Sequence, residues 1–349
     1  MKRSICKILV GAGCTGLVLL LFSVCSIDNS EFPICTDPHY QWSPAIYKNM
    51  VVWTDHRNGN ADIYGFNLKT KKEFQITSDI NSQWYPAIYK NIVVWTDNRN
   101  GNYDIYGFNL ETKEEFPVVV HALDQFGPAI YDDIIVWSDS RYGNPDIYGL
   151  LLSTHEEIEL IIHPANQWYP KIYKNIVVWM DERHKNDDIY GLNLETGEEF
   201  QITTNKKHQH SRAIYGDIVV WTDERHFDFD TYGFNLETEK EFVISTAPEG
   251  QWYPAIYKDV VIWRDNRNKN YDIYGFNLKT EKEFPVITHE SSQEQCAIYE
   301  KTIVFVDSRN GNPDIYGIFL KNDIDLVPFF VFFTILVLLI GIFLIKNKK

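Results

Sequence analysis

Between residues 171 and 226, four histidines and two strong cations interrupt an otherwise regular sequence: Lys171, His184, His208, His210, Arg212 and His226. Imidazole nitrogens ligate divalent transition metals, and ammonium and guanidinium groups bind oxyanions. The six residues allow a divalent-cation site, with Asp223 or Asp228 as carboxylate partner, or an anion site. His208-x-His210 alone is weak spacing evidence, and drift on a solvated rim is the competing reading. A second constellation, Asp55-x-Arg57-Asn-Gly-Asn-x-Asp62, alternates oxygen donors as calcium loops do. An arginine at its third position opposes a cation, so the preferred reading is a structural clamp, with Arg57 forked between Asp55 and Asp62. Trp42, Trp84, Trp168 and Trp252 form a third group, beside Arg and Asn. Flat apolar rings with polar rims suit sugar or peptide recognition, although the same indoles could fill gaps between packed sheets.

What positions these groups is a repeat. Trp53, Trp95, Trp137, Trp179, Trp221, Trp263 and Phe305 follow one another at steps of 42 residues, and the Arg57 and Asp62 columns keep the same step. A period of about 40–45 residues is that of a propeller blade. In the second copy, Pro86–Tyr89, Ile92–Thr96, Asp104–Leu110 and Glu115–Val119 read as strands A, B, C and D, separated by turn signals. Strand B is apolar on both faces, as a sheet sandwiched between two others must be. The prediction is an all-β, seven-bladed β-propeller of four-stranded antiparallel blades over residues 31–320. Strands A, B and C occur seven times but the last copy lacks D, whereas Glu31-Phe32-Pro33-Ile34 matches the D strand at Glu283-Phe284-Pro285-Val286. The N-terminal strand is therefore expected to complete blade seven and remove its open edge. Gly65 and its equivalents sit inside strand C, where glycine marks close approach by another group; a neighbouring Trp is the expected occupant.

The run Asp-x-Arg-Asn-Gly-Asn-x-Asp-Ile-Tyr, with its Leu-x-Thr turn and short Phe-x-Ile-Thr strand, resembles the TolB-like (PD40, WD40-like) propeller repeat. With Gln-Trp-Tyr-Pro-Ala-Ile-Tyr ahead of it, the unit looks most like propeller repeats of archaeal cell-surface proteins. The resemblance covers about residues 31–320 and implies scaffold and protein-interaction roles, with no catalytic residues to carry over. TolB-like domains usually have six blades, and this chain has seven copies.

Residues 1–25 read as a signal peptide or an uncleaved N-terminal anchor, with three positive charges before an apolar run. Residues 326–345 carry no charge and are long enough for a transmembrane helix, and the basic tail 346–349 marks the cytoplasmic side. This places the propeller outside the cell membrane on a single-pass anchor. The face of the A–B and C–D turns is expected to look at the membrane, and the Trp-bearing face outward. A formal net charge of −15 disfavours nucleic acid and anionic lipid as partners. Cys35 and Cys296, three strands apart in one blade, are too distant for a bridge.

The expected function is a membrane-anchored extracellular scaffold that binds a protein or glycan of the cell envelope. Carbohydrate recognition is the alternative, followed by a glycosidase or lyase. Neither a Ser-x-Asp-x-Gly-x-Thr-Trp box nor a Gly-x-Ser-x-Gly elbow occurs, and every blade repeats the same columns. No catalytic activity, and no cofactor other than a divalent cation, is expected on that ground.

Overall fold

The computed structural model describes residues 31–320 apart from Phe227. The expected signal segment 1–25, membrane segment 326–345 and tail 346–349 lie outside the described residues. Among the described residues there is no helix, and so none long and apolar enough to cross a membrane.

Seven sheets of four antiparallel strands are formed, each in the order A-B-C-D. In blade one these are Gln41–Tyr47, Met50–Asp55, Asp62–Asn67 and Lys72–Gln75. Strand A runs longer than its apolar pattern indicates: in blade two it spans Gln83–Tyr89. A bulge between Trp84 and Ala87 lets pairing continue past the proline that would otherwise end it. Inside the bulge Tyr85, Tyr169 and Tyr253 adopt φ of 55°, 49° and 55°, a left-handed conformation that bulky residues take only when both flanks enforce it.

Successive A strands contact one another around the full circle, so they line the axis. The core lies between blades. Val51, Val52 and Trp53 of strand B are fully buried, with Val51 and Trp53 packed toward blade seven and Val52 toward blade two. Each buried indole removes roughly 150–250 Å² from water, worth about 4–6 kcal/mol, so the Trp column is the main adhesive between blades.

The ring closes as the matching D-strand sequences require. Phe32–Cys35 pairs antiparallel with Asp314–Phe319 as the outermost strand of blade seven, with Phe32 opposite Gly317. The glycine column has a different occupant from the one expected. Gly65 lies directly across strands from Phe74, and a Cβ at Gly65 would stand 2.7 Å from the Phe74 ring. The C–D register, which decides this pairing, brings a strand D side chain over the glycine instead of a Trp: a Phe in six blades, and aliphatic residues at Gly149 of blade three.

At the A–B end of the axis, the last residue of each A strand builds a closed circle of seven tyrosines: Tyr47, Tyr89, Tyr131, Tyr173, Tyr215, Tyr257 and Tyr299, with neighbouring ring centres 4.6–5.1 Å apart. The 42-residue spacing of these tyrosines is visible in the sequence, but only strand A's place at the axis turns the column into a ring.

Candidate functional site

The repeated turn is a clamp with other partners than those expected. Asp55 is fully buried and accepts from the Trp53 indole at 2.8 Å and from the Arg57 backbone N–H, Nε and Nη2 at 2.7–2.9 Å. The free edge of Arg57 reaches Glu73 of strand D at 2.5 Å, and the guanidinium lies over the Tyr64 ring. Arg57 is thus forked between Asp55 and Glu73. Asp62 is held separately by Asn58, Asn60 and Gln75 at 2.7–3.2 Å, which gives its oxygens amide donors in place of a calcium ion. Blade seven completes the same clamp with Glu31, 2.7 Å from Arg309.

Asn60 also donates to the Asp79 and Asn81 carbonyls, so B–C turns and D–A loops share one face, as expected. On that face Trp42 and Trp84, with His56 and Tyr85, line a shallow cleft of about 320 Å³. Trp168 donates to Glu182 at 2.7 Å, and Trp252 packs on Phe229, Tyr271 and Arg264. All four indoles are half-buried. More open are the bulge tyrosines Tyr85, Tyr169 and Tyr253, exposed by 60%, 46% and 50%, together with Tyr40 and Tyr142 of the neighbouring loops. Sequence reasoning did not single out the bulge tyrosines, although each directly follows one of the four tryptophans.

The histidines do not form one cluster. His208 and His210 stack, and their Nδ1 atoms lie 2.9 and 3.3 Å from one oxygen of Asp187, in the preceding blade's B–C turn. The three ligand atoms fall within 4.8 Å of one another. His210 Nε2 is 2.8 Å from Glu224. Two imidazoles and a carboxylate suit a divalent transition metal such as zinc. Neither carboxylate partner expected from the sequence takes part: both oxygens of Asp223 are engaged by Trp221 and Arg225, and Asp228 lies in another turn. Asp187 carried a signal, since no other copy has an acid at its position.

His184 takes over the duty of Asn58, lying 3.0 Å from Asp188 and 3.5 Å from the Tyr190 hydroxyl. His226 holds the same position in blade five, where Asp228 replaces the usual second Asn. One oxygen of Asp230 there is buried with no partner among the described residues. Burial, opposed by His226 and reinforced by the Asp228 and Asp223 charges, pushes Asp230 up to about 6.

Lys171 and Arg212 stand on the innermost strands of blades four and five. Lys171 is open to the axial solvent yet ringed by protein; burial foremost, then the Arg212 charge, pulls it down to about 8. Arg212 is only 5% exposed; its Nη2 donates to the Trp168 carbonyl at 2.9 Å, and its guanidinium sits 5.9 Å from the Tyr169 ring centre. Cys35 and Cys296 are both free, and burial pushes each thiol up to about 12, so neither is a ready nucleophile.

No family model matches the sequence, and no curated protein does. Solved structures match in fold. Oligogalacturonate lyase from Vibrio parahaemolyticus aligns with a TM-score of 0.66 and 13% identity, covering 86% of this chain and 96% of that one. An oligogalacturonate lyase in complex with manganese gives 0.63 and 13% over 84% and 98%. TolB from Acinetobacter baumannii gives 0.52 and 11% over 68% and 62%. Enzymes are thus among the proteins of this fold, which overturns the expectation of no catalytic activity drawn from missing motifs. A propeller can assemble a site from single residues of different blades, and such a site leaves no local motif in the sequence. The described residues form a seven-bladed β-propeller similar in fold to TolB and to the oligogalacturonate lyases.

Proposed function

We propose that this propeller recognises a glycan of the cell envelope on the face carrying its B–C turns, with a divalent cation held by Asp187, His208 and His210. The observation that supports it is a juxtaposition: the cation-competent cluster lies where the repeat is broken, on the face that also carries exposed Tyr169, and Arg212 stands 5.9 Å from that tyrosine's ring centre. A bound cation would supply a Lewis acid for ligand hydroxyl or carboxylate oxygens. Residues 326–345 tether the domain outside the membrane, with this face outward. The manganese complex of a fold neighbour fits the same chemistry. A second reading, cleavage of an acidic polysaccharide, is favoured by the oligogalacturonate lyases among the fold neighbours and by two cations, Lys171 and Arg212, on adjacent innermost strands.

The test uses the full chain in detergent, stripped with a chelator and then reloaded with manganese. Titration calorimetry should show one manganese site, lost in His208→Ala and His210→Ala. Binding to a glycan array should depend on the metal, and product release from polyuronates would select the second reading. Glycan binding indifferent to chelation and to both substitutions, or no glycan binding at all, defeats the proposal.

A further inference from the structure

We infer that Lys171 and Arg212 form an anion site, binding a carboxylate or phosphate of a ligand that enters the axial channel from the B–C turn face. This deepens the glycan reading, on which it rests for the ligand's sugar part but not for the anion.

Neither side chain has an ion pair among the described residues, in a chain whose formal net charge is −15. The clamp arginines each meet a buried Asp, and Arg264 meets Glu294 at 3.1 Å. Arg212 and Arg264 each bury an Nε that has no acceptor among the described residues, but Arg212 also lacks the carboxylate that Arg264 finds in Glu294. An acid that Arg212 does feel, Asp187, is already engaged by His208 and His210. An unmet buried donor and two adjacent like charges both destabilise the empty fold.

The fold does not need them. Ala stands at the Lys171 position in all six other copies, and Pro at the Arg212 position in five. The arginine is also held in place for binding. One nitrogen is pinned to the Trp168 carbonyl, and Trp168 is itself fixed by Glu182. A guanidinium fixed in this way loses little freedom when an oxyanion arrives at its unused nitrogens, with the Lys171 ammonium as a second donor. The adjoining Asp187–His208–His210 cluster would then take neutral oxygens of the same ligand.

Thermal unfolding of the full chain in detergent, after chelation of metals, tests this with inorganic phosphate, D-glucuronate and D-glucose as probes. Phosphate, glucuronate or both should raise the Tm, and glucose should not. A response to glucuronate alone assigns a uronate ligand; a response to phosphate alone assigns a phosphorylated one. Lys171→Ala with Arg212→Pro restores residues the other blades carry, so it should fold, unfold at higher temperature without anion, and bind the anion at least tenfold more weakly. Arg212→Lys, which keeps the charge, should retain part of the response. Equal anion stabilisation in the double variant, or none in the native chain with either anion, overturns the site. Because the metal is absent, an anion response stands even where the glycan reading fails.

Discussion

Blades one and five are cut from one template and differ most in a single turn. In blade one, Asn58 and Asn60 supply amide donors to Asp62, and the turn is self-sufficient. In blade five, His226 and Asp228 stand in their places, and Asp230 keeps a buried oxygen with no donor among the described residues. Both blades nevertheless retain the same Trp–Asp–Arg–Glu clamp. The comparison separates two layers of the molecule. The Asp–Arg–Glu part of the clamp is repeated in every blade, and its indole donor in all but blade seven, where Phe305 stands in the Trp column, while the turn tip and the axial end of strand A are free to vary. The departures at Asp187, His208, His210 and Arg212 use that freedom on a frame the clamp keeps rigid.

The contrast can be broken most severely at the clamp. Asp55→Ala would leave the Trp53 indole, the Arg57 guanidinium and a backbone N–H without their shared acceptor, with a loss of about 3–5 kcal/mol in urea unfolding. Asp223→Ala in blade five should cost the same, and a much smaller loss there would show that blade five has relaxed its clamp too. Phe32→Ala, which uncovers Gly317 and weakens the closing strand, should cost about 2–3 kcal/mol and raise protease cleavage near the N-terminal strand. The smallest effect has the opposite sign. Asp228→Asn returns an amide to the blade-five turn and removes a like charge beside Asp230, with an expected gain of about 0.5–1.5 kcal/mol at neutral pH.

That gain has a defined pH window. Asp230 titrates near 6 in the fold, above the ordinary carboxylate value, so the unfolded chain holds fewer protons between the two values and stability falls as pH rises through them. The penalty is fully present above about 6 and absent below about 4, where the group is protonated in both states. Unfolding of native and Asp228→Asn chains should therefore converge at acid pH, and a constant difference across the range would assign the gain to something other than Asp230.

Much of this frame is legible in the sequence because each blade repeats the same local problem. The 42-residue step gave the number of blades, and the missing last D strand pointed to Phe32. What was not legible depended on register or on neighbours across a blade junction. The Glu73 column is present in every copy, yet its pairing with Arg57 requires strand D to lie outside strand C at one stagger. The Phe74 ring falls on Gly65 for the same reason. His208 meets Asp187 only because one blade's D–A loop rests on the preceding blade's B–C turn, a contact no spacing along the chain encodes.

The strand at Phe32–Cys35 also dictates when this molecule can be finished. Its mate, Asp314–Phe319, is the last strand among the described residues, so during synthesis from the N-terminus Phe32–Cys35 must wait, unpaired, until the six intervening blades have appeared. Until they meet, blade one lacks the neighbour that packs against Trp53, and the nascent circle presents a sticky rim to other chains. Such distant partners make a slow final step.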